Sequence, residues 1–247
     1  MTLIRLNHYI AQAGIASRRA ADTLIGQGRV KVDDKVVKAM GVKINPSTQK
    51  VSVLHEKSKV WKEIEEVKEK ITYVFYKPRG YTTTLKGQRG EKTIAEFLPK
   101  NARLFPVGRL DKDSEGLLLL TNNGELALTL THPRTHVEKT YHVWCRIPKE
   151  YTENAVESQL GRVRGGVKLD GIMTKPMRIN IVGIKRGAVD LEITLTEGRN
   201  RQIRRVLGKI NLEVTRLIRT KIGTLTLKEF NLQPGELYQL PADYTYE

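Results

Sequence analysis

The chain has 247 residues, of which 43 are Lys or Arg and 27 are Asp or Glu, so its formal net charge is +16. Its 39% hydrophobic and 28% charged residues are typical of a folded protein and exclude a disordered chain. Its longest apolar run, residues 116–120, is far shorter than the roughly 20 residues that a membrane span requires.

The charge and the cysteine content narrow the class of protein further. The single cysteine, Cys145, excludes an internal disulfide framework and is typical of a protein from the reducing cytoplasm. No apolar stretch with a small-residue cleavage site follows Arg5 and His8, so we expect no signal peptide. The excess of positive charge makes a polyanion the first partner to consider.

The charge divides the chain into three segments. Residues 1–55 carry 9 basic and 3 acidic side chains, residues 56–70 carry 5 of each, and residues 71–247 carry 29 and 19. The neutral middle segment has few apolar residues, so we interpret it as a charged linker or a solvated helix between two units. An excess of basic residues in both units favours nucleic acid over a general surface charge.

In residues 1–55 the pattern predicts two helices followed by a small sheet. Apolar spacing predicts a first helix over residues 6–13, and Ser17 is placed as the N-cap of a second. Residues 29–32 and 35–37 read as two strands joined by a turn at Asp33 and Asp34. The exposed face is expected to carry the basic residues Arg5, Arg18, Arg19, Arg29 and Lys31.

Residues 71–247 mix strands and helices without strict alternation, which predicts an α+β fold with a mixed, mostly antiparallel central sheet. The predicted strands are residues 71–76, 104–107, 116–121, 139–146, 177–182 and 189–195. The predicted helices are residues 93–98, 125–130, 150–160 and 200–209.

Several familiar chemistries lack their motifs. The chain has no GxxxxGK[ST] loop, no GxGxxG after a strand, no CxxC pair and no GxSxG. His132 and His136 are four residues apart, but Pro133 lies between them and no cysteine is near, which disfavours a zinc site. We therefore expect neither a metal nor a cofactor.

Two segments stand out chemically. GRLDKDSEG at residues 108–116 places Asp111, Asp113 and Glu115 between two apolar strands, as either an acid at the edge of a cleft or a charged hairpin turn. EGRNRQIRR at residues 197–205 opens a basic helix, whose arginines could bind phosphate or turn inward to a buried acid.

These motifs carry two family resemblances. The segments RLNHYIAQAGIASRRAADTLI and GRVKVDDKVV resemble the ribosomal protein S4-like RNA-binding domain, with Asp-Asp where that domain more often has Asn-Gly. KPRG, GRLDKDSEGLLLLTNNGELA, EKTY, EGRNRQIRR and RLIRTKIG resemble, in order, the motifs of the RsuA/RluB/RluF family of RNA pseudouridine synthases. The resemblance implies an enzyme that converts uridine in RNA to pseudouridine without a cofactor.

The resemblance also assigns roles to residues. Asp111 of GRLD matches the family's catalytic aspartate, which either attacks the sugar or abstracts a sugar proton. Tyr141 of EKTY matches the aromatic residue that stacks on uracil, although a tyrosine on an alternating strand could also be a core residue. Arg204 of RQIRR matches the arginine that pairs with the aspartate and keeps it ionised despite burial.

The remaining site residues are expected to bind the RNA or to support the loop that carries Asp111. Arg109 and Arg199 are expected to contact phosphate or brace the loop, and Leu217 to lie under the base. Asp113 and Glu115 are expected to be structural or solvent-facing, so that Asp113→Asn should retain activity. The role of Lys77 in KPRG is left open.

The resemblance implies ribosomal RNA as the substrate, with 23S favoured over 16S. The expected partner is ribosomal RNA or a ribosome-assembly intermediate, bound by a cytoplasmic monomer that does not contact membranes. The alternative function is a non-catalytic RNA-binding or ribosome-assembly factor on the same fold, from which the presence of Asp111 would distinguish an enzyme.

Overall fold

The structure is a computed structural model that describes residues 3–56, 58–67, 69–100 and 102–246. The chain forms two compact units: unit 1 is Met1–Lys70 with Asn122–Gly124, and unit 2 is Ile71–Thr121 with Glu125–Glu247. Within the described residues, every helix is too short or too polar to span a lipid bilayer.

Unit 1 packs two short helices on small sheets. Its elements are β1 (Ile4–Arg5), α1 (Leu6–Gln12), α2 (Arg18–Gly26), β2 (Val30–Val32), β3 (Lys35–Val36), β4 (Lys43–Ile44), β5 (Val51–Leu54) and β6 (Trp61–Ile64). The strands form a sheet of order β3-β2-β5-β6 and a separate β1–β4 pair. As predicted, the Ser17 side chain caps α2 by accepting a hydrogen bond from the Ala20 amide, at 3.2 Å.

The interpretation of residues 56–70 as a linker or a solvated helix is wrong for β6. Trp61–Ile64 pairs antiparallel with β5 as the edge strand of the unit 1 sheet. Ile64 is buried in the unit 1 core, and its carbonyl accepts a hydrogen bond from the Tyr9 hydroxyl at 3.1 Å. This edge strand buries the Ile64 side chain and leaves its charged side chains in water. The dense charge of the segment therefore hid the strand pattern in the sequence.

Unit 2 is built on one large sheet. Its strands are β7 (Thr72–Lys77), β8 (Phe105–Val107), β9 (Glu115–Thr121), β10 (Lys139–Arg146), β11 (Lys168–Leu169), β12 (Ile172–Met173), β13 (Arg178–Lys185), β14 (Ala188–Leu195), β15 (Glu213–Ile222), β16 (Leu225–Thr226) and β17 (Leu237–Gln239). Its helices are α3 (Gly124–Thr131, in unit 2 from Glu125 onward), α4 (Glu153–Arg164) and α5 (Gln202–Gly208), with 3₁₀ turns at Ile94–Phe97 and Leu227–Phe230.

The main sheet has the order β13-β14-β10-β15-β9-β7-β17, with β16 added to β15 and β8 to β9. The β9–β15 pair is parallel and the other pairs of this sheet are antiparallel. This arrangement confirms the predicted α+β class with a mixed, mostly antiparallel sheet. β15 was not predicted, because its arginines and lysines concealed a strand within the basic run.

β9 is the most deeply buried strand of unit 2. Leu118 and Leu120 belong to the main core cluster, which also contains residues of α4 and α5, whereas Leu117 and Leu119 belong to a second cluster with Leu130. Because both faces are covered, the strand reads as a continuous apolar run.

Gly116, near the start of β9, lets β9 and β15 approach closely. Its φ is +105°, and a Cβ atom there would lie 2.4 Å from the Arg219 carbonyl oxygen. A residue with a side chain at this position would therefore push the two strands apart.

The hairpin turn of unit 1 generates a stability prediction. Asp33 and Asp34 both have left-handed backbones, with φ of 47° and 63°, as a type I′ turn requires. The backbone strain at Asp33 is offset because its carboxylate accepts hydrogen bonds from Gln49 Nε2 and the Lys50 amide, at 3.0 and 2.9 Å. These bonds, the Gln49 bond first, lower the pKa of Asp33.

We therefore expect Asp34→Gly to raise the free energy of unfolding of unit 1 by about 0.5–1 kcal/mol, by relieving left-handed strain. Asp33→Ala should instead lower it, because the turn then lacks both hydrogen bonds. Urea unfolding followed by Trp61 fluorescence in a Trp144→Phe background measures both. Changes of the same sign would contradict this account of the turn.

Candidate active site

A cavity of about 410 Å³ opens in unit 2 beside the GRLD segment. Its walls come from the loop before β9, from β10, β14 and β15, and from the segment that leads into α5. The lining residues are Gly108, Arg109, Leu110, Asp111, Ser114, Tyr141, Leu195, Gly198, Arg199, Asn200, Arg201, Gln202, Ile203, Arg204 and Leu217. Every residue of unit 2 that the sequence predicted as a site residue is among them.

The buried ammonium group of Lys77, at the end of β7, holds the loop that carries Asp111. Lys77 Nζ donates hydrogen bonds to the carbonyls of Ser114, Asp111 and Pro78, at 2.7, 3.1 and 3.0 Å. Its side chain is fully buried, and burial lowers the pKa of Lys77 to about 8, against the opposing effects of Glu115, Asp111 and Asp113. The open role of Lys77 is thereby answered: it braces the loop.

Further hydrogen bonds fix the same loop. The Thr83 hydroxyl donates to the Leu110 carbonyl at 2.6 Å and accepts from the Leu110 amide at 3.2 Å. The Gly80 amide donates to the Lys112 carbonyl at 2.7 Å. The segment from Leu110 to Ser114 is therefore held from several sides, as a preorganised site requires.

Asp111 lies on this braced loop with its side chain partly exposed to the cavity. Within the described part of the chain, its carboxylate has no hydrogen-bonding or ion-pair partner. Tyr141 and Leu217 are buried residues of β10 and β15 that line the same cavity. The site thus combines one available carboxylate with an aromatic ring and an aliphatic side chain.

The structure corrects the expected partner of Arg204. Its Nε lies 3.2 Å from Oδ2 of Asp113, not beside Asp111, and its Nη2 donates to the Asp113 carbonyl at 3.0 Å. Nη1 donates to the Val214 carbonyl at 2.9 Å. Burial lowers the pKa of Arg204, and the charges of Asp113 and, less strongly, Asp111 oppose that shift. The predicted Arg204–Asp111 ion pair is therefore wrong for this structure, because Asp113 and two carbonyls occupy the guanidinium.

Asp113 is bound by a second arginine that sequence reasoning missed. Arg201 donates from both Nη atoms to the two carboxylate oxygens of Asp113, each at 2.8 Å. Hydrogen bonding from Arg201, followed by the charge of Arg204, holds the pKa of Asp113 below its usual value against the opposing effect of burial. Arg201 adopts a left-handed backbone, φ 49°, at the start of α5, and this ion pair offsets the strain.

Asp113 is structural, as predicted, but it is not a neutral control, because it positions two arginines that line the cavity. Glu115 is also structural: it is buried and accepts from Arg216 Nε at 2.8 Å and from Nη2 at 3.2 Å. The signal for Arg201 was its place among the arginines of EGRNRQIRR, but nothing in that motif distinguished it from its neighbours.

The Arg199 side chain holds a neighbouring hairpin in place. Its guanidinium donates to the carbonyls of Ile172, at 3.0 Å, and Met173, on the β11–β12 hairpin. The buried side chain of Gln202, also missed, accepts from the Arg199 amide at 3.0 Å and donates to Glu197 at 2.7 Å. Arg109, by contrast, is exposed at the rim of the cavity.

In unit 1 the predicted basic face is divided. Arg5, Arg18 and Arg19 are exposed. Arg29 instead donates to the Leu54 carbonyl at 3.1 Å, and the Lys31 ammonium lies 4.4 Å from the centre of the Trp61 ring. Three of the five predicted RNA-binding residues are thus solvent-facing, and two are engaged within the unit.

The side chains that usually bind metals are dispersed over the described residues. Among these residues, no cluster of three or more His, Cys, Asp or Glu side chains could hold a metal ion. The expected absence of a metal or a cofactor stays a prediction.

Comparisons with known proteins find matches over both units. A profile of the family described as RNA pseudouridylate synthase matches residues 71–209, and a profile of the S4 domain matches residues 4–49. The ribosomal large subunit pseudouridine synthase B of Bacillus subtilis is 38% identical, over 96% of each chain. An uncharacterized RNA pseudouridine synthase of Aquifex aeolicus is 39% identical, over 97% of this chain and 94% of the relative.

Solved structures give the same result. A crystal structure of a pseudouridylate synthase, 29% identical, superposes with a TM-score of 0.63 over 96% of both chains. A chain from an H/ACA ribonucleoprotein with bound substrate RNA, 16% identical, matches 64% of this chain and 49% of its own with a TM-score of 0.53, and so shares the fold.

The buried Lys77 generates a prediction about stability and pH. Because its pKa is about 8 when folded and 10.5 otherwise, the unfolded chain binds more protons between these values. Raising the pH through this window should therefore stabilise the wild type relative to Lys77→Met, by about 3 kcal/mol at most.

Chemical denaturation of both proteins from pH 7 to pH 11 measures this difference. Lys221→Met, which removes an exposed lysine from β15, is the matched control. At pH 7, Lys77→Met should be destabilised by about 1–3 kcal/mol, because three carbonyls no longer have their donor. A difference between wild type and Lys77→Met that does not change with pH would contradict the assigned pKa.

Proposed function

The chain belongs to the RNA pseudouridine synthase family, and we propose that it converts a uridine of large-subunit ribosomal RNA into pseudouridine. As a member of this family it is an isomerase that acts on RNA, and the predicted family and activity are confirmed. The choice of large-subunit RNA is supported by the name of the Bacillus subtilis relative. The observation that carries the assignment is the cavity shared by Asp111, Tyr141, Arg204 and Leu217.

The reaction moves one bond within the nucleotide. The N1–C1′ bond of uridine breaks, the uracil turns in the cavity, and C5 joins C1′. C5 then loses its proton and N1 gains one, so that the product is an isomer of the substrate. A hydrolytic glycosidase uses two carboxylates, one of which activates water or attacks the sugar. Here the leaving base is recaptured, so no activated water is needed. A single carboxylate suffices, and we assign this role to Asp111, whose oxygens are available to act on the ribose.

The walls of the cavity suit a planar base. Tyr141 offers an aromatic face for stacking, and Leu217, on the neighbouring strand, offers an apolar surface beside it. A cavity of about 410 Å³ lies within the range of small-ligand sites. We propose that these two side chains hold the uracil while it turns and limit its escape.

The basic residues supply the grip on the RNA. A target base must leave its stack to reach Asp111, which costs a few kcal/mol. In unit 2, Arg109 is the exposed cation at the rim of the cavity; in unit 1, Arg5, Arg18 and Arg19 are exposed. Phosphate contacts at these positions offset the cost of flipping and make binding depend steeply on salt.

The oligomeric state of the protein, its compartment and the form of its RNA substrate are part of the proposal. We propose a cytoplasmic monomer that binds free ribosomal RNA or an assembly intermediate. The single buried Cys145 supports a reducing compartment, and the S4 domain supports recognition of folded RNA through shape and phosphate contacts.

The central prediction concerns Asp111. In cells that lack this protein, one pseudouridine of 23S ribosomal RNA should be absent; the wild type and Asp243→Asn should restore it, and Asp111→Asn should not. Asp243 is an exposed aspartate near the carboxyl terminus and matches the chemical change. Pseudouridine mapping of both ribosomal RNAs measures the result. Restoration by Asp111→Asn would favour the non-catalytic alternative for this site, and a missing 16S modification would refute the choice of RNA.

Asp113→Asn should give an intermediate outcome when turnover is measured on 23S RNA. Because Asp113 positions Arg201 and Arg204, its neutralisation should lower kcat by about 10- to 100-fold, the range expected when site residues are misplaced. This outcome replaces the expectation from sequence alone that the variant retains activity. Wild-type kcat in Asp113→Asn would contradict the positioning role.

The exposed arginines of unit 1 give a binding prediction. Arg18→Ala/Arg19→Ala should raise the Kd for 23S RNA and reduce the salt slope by about 0.7–0.9 for each phosphate that is no longer neutralised, with kcat unchanged. Lys50→Ala is the matched control, because Lys50 already lies 3.5 Å from Glu63. Filter binding at several salt concentrations measures the slope. An unchanged slope would exclude these arginines from the interface.

A further inference from the structure

The β11–β12 hairpin exposes two large apolar side chains beside the cavity. Ile172 is 65% exposed and Met173 is 56% exposed, whereas Leu169 on the paired strand is buried. Exposed apolar pairs of this kind contribute nothing to the core, and they often mark an interaction surface.

The hairpin is held in one conformation. Its turn residues, Asp170 and Gly171, have φ of 51° and 81°, as a type I′ turn requires. At its base, the Thr174 amide donates to the Val167 carbonyl at 3.0 Å, and the Thr174 hydroxyl accepts from the Val167 amide at 2.9 Å. The exposed pair is therefore presented on a fixed support.

Two arginines tie the hairpin to the wall of the cavity. Arg199, which lines the cavity, donates to the carbonyls of Ile172 and Met173. Arg205, on α5, forms a bidentate ion pair with Asp170, at 2.9 and 2.6 Å. The apolar tip consequently keeps a fixed position relative to the site that holds Asp111.

We propose that Ile172 and Met173 form an apolar wedge that packs against the bases next to the target uridine. This inference rests on the proposed function. The bases are the apolar part of RNA, and proteins that deform nucleic acids insert such side chains between base steps. Lys168, exposed on β11 opposite Met173, and Lys175, two residues beyond Met173, pair with no carboxylate within the described residues and suit the phosphates of the same strand.

The charge around the wedge favours RNA over a second copy of this chain. A symmetric contact through this surface would bring two sets of these cations together, which is unfavourable. An RNA strand instead neutralises the cations while its bases cover the apolar pair. The wedge would then replace the stacking that the flipped uridine leaves behind.

The test compares Ile172→Ser/Met173→Ser with the wild type and with Val182→Ser. Val182 is 59% exposed on β13 and does not line the cavity, so it is the matched control. Affinity is measured with a full-length 23S transcript. Unstacking is measured as 2-aminopurine fluorescence, with this base next to the modified uridine in a 23S fragment.

We expect the wild type and Val182→Ser to raise the fluorescence on binding, and the double serine variant to show no such rise. Its Kd should increase about tenfold, which corresponds to about 1.4 kcal/mol. Ile172→Leu/Met173→Leu should restore both signals, since the wedge requires apolar bulk rather than one side-chain shape.

Two results would overturn the proposal: wild-type affinity and fluorescence in the double serine variant, or a wild-type dimer in sedimentation that this variant dissociates. A wild type that binds the RNA and unstacks the base but forms no pseudouridine would instead refute the proposed function. The two failures are therefore distinguishable.

Discussion

The organisation of the site depends on one buried ammonium group. A charged lysine excluded from water is costly unless its donors are satisfied, and Lys77 satisfies them with three backbone carbonyls. Two of these carbonyls belong to Asp111 and Ser114, at the two ends of the turn before β9. The ammonium group therefore ties the position of Asp111 to the end of β7, and a buried cation provides precision rather than surface attraction.

Two nearby carboxylates have different roles because their surroundings differ. Asp113 is neutralised by Arg201 and Arg204, whereas the Asp111 carboxylate faces the cavity on a loop braced through its backbone. This division leaves the charge of Asp111 available to a substrate and confines the arginines to positions beside it. The positive charge of the chain thus has two uses, namely contact with RNA at exposed positions and internal support at buried ones.

Much of the fold could be predicted from the sequence, because its strongest elements have strong local patterns. β10 and β14 were predicted within one residue at each end, and Ser17 caps α2 as expected. β6 and β15 escaped prediction because charged side chains on an exposed edge or face conceal the apolar alternation. Tertiary pairing, rather than local propensity, determines those strands.

The sequence predicted which residues line the site, but it did not predict which of them form ion pairs and hydrogen bonds with one another. The motif resemblance predicted four residues of one site, and all four line the same cavity: Asp111, Tyr141, Arg204 and Leu217. The partner of Arg204, the part played by Arg201 and the bracing by Lys77 depend on angles and distances between segments far apart in sequence. Whether Arg204 pairs with Asp111 or with Asp113, two residues further along the loop, depends on side-chain geometry that sequence patterns do not encode.

The close approach at Gly116 also has a consequence for how the protein acquires its activity. The parallel contact of β9 with β15 joins residues about a hundred positions apart, at Gly116 and Arg219. Contacts of such sequence separation form late, since the intervening chain must first be ordered. The cavity wall at Leu217 depends on the same strand. During synthesis the active site can therefore be completed only after β15 has been made.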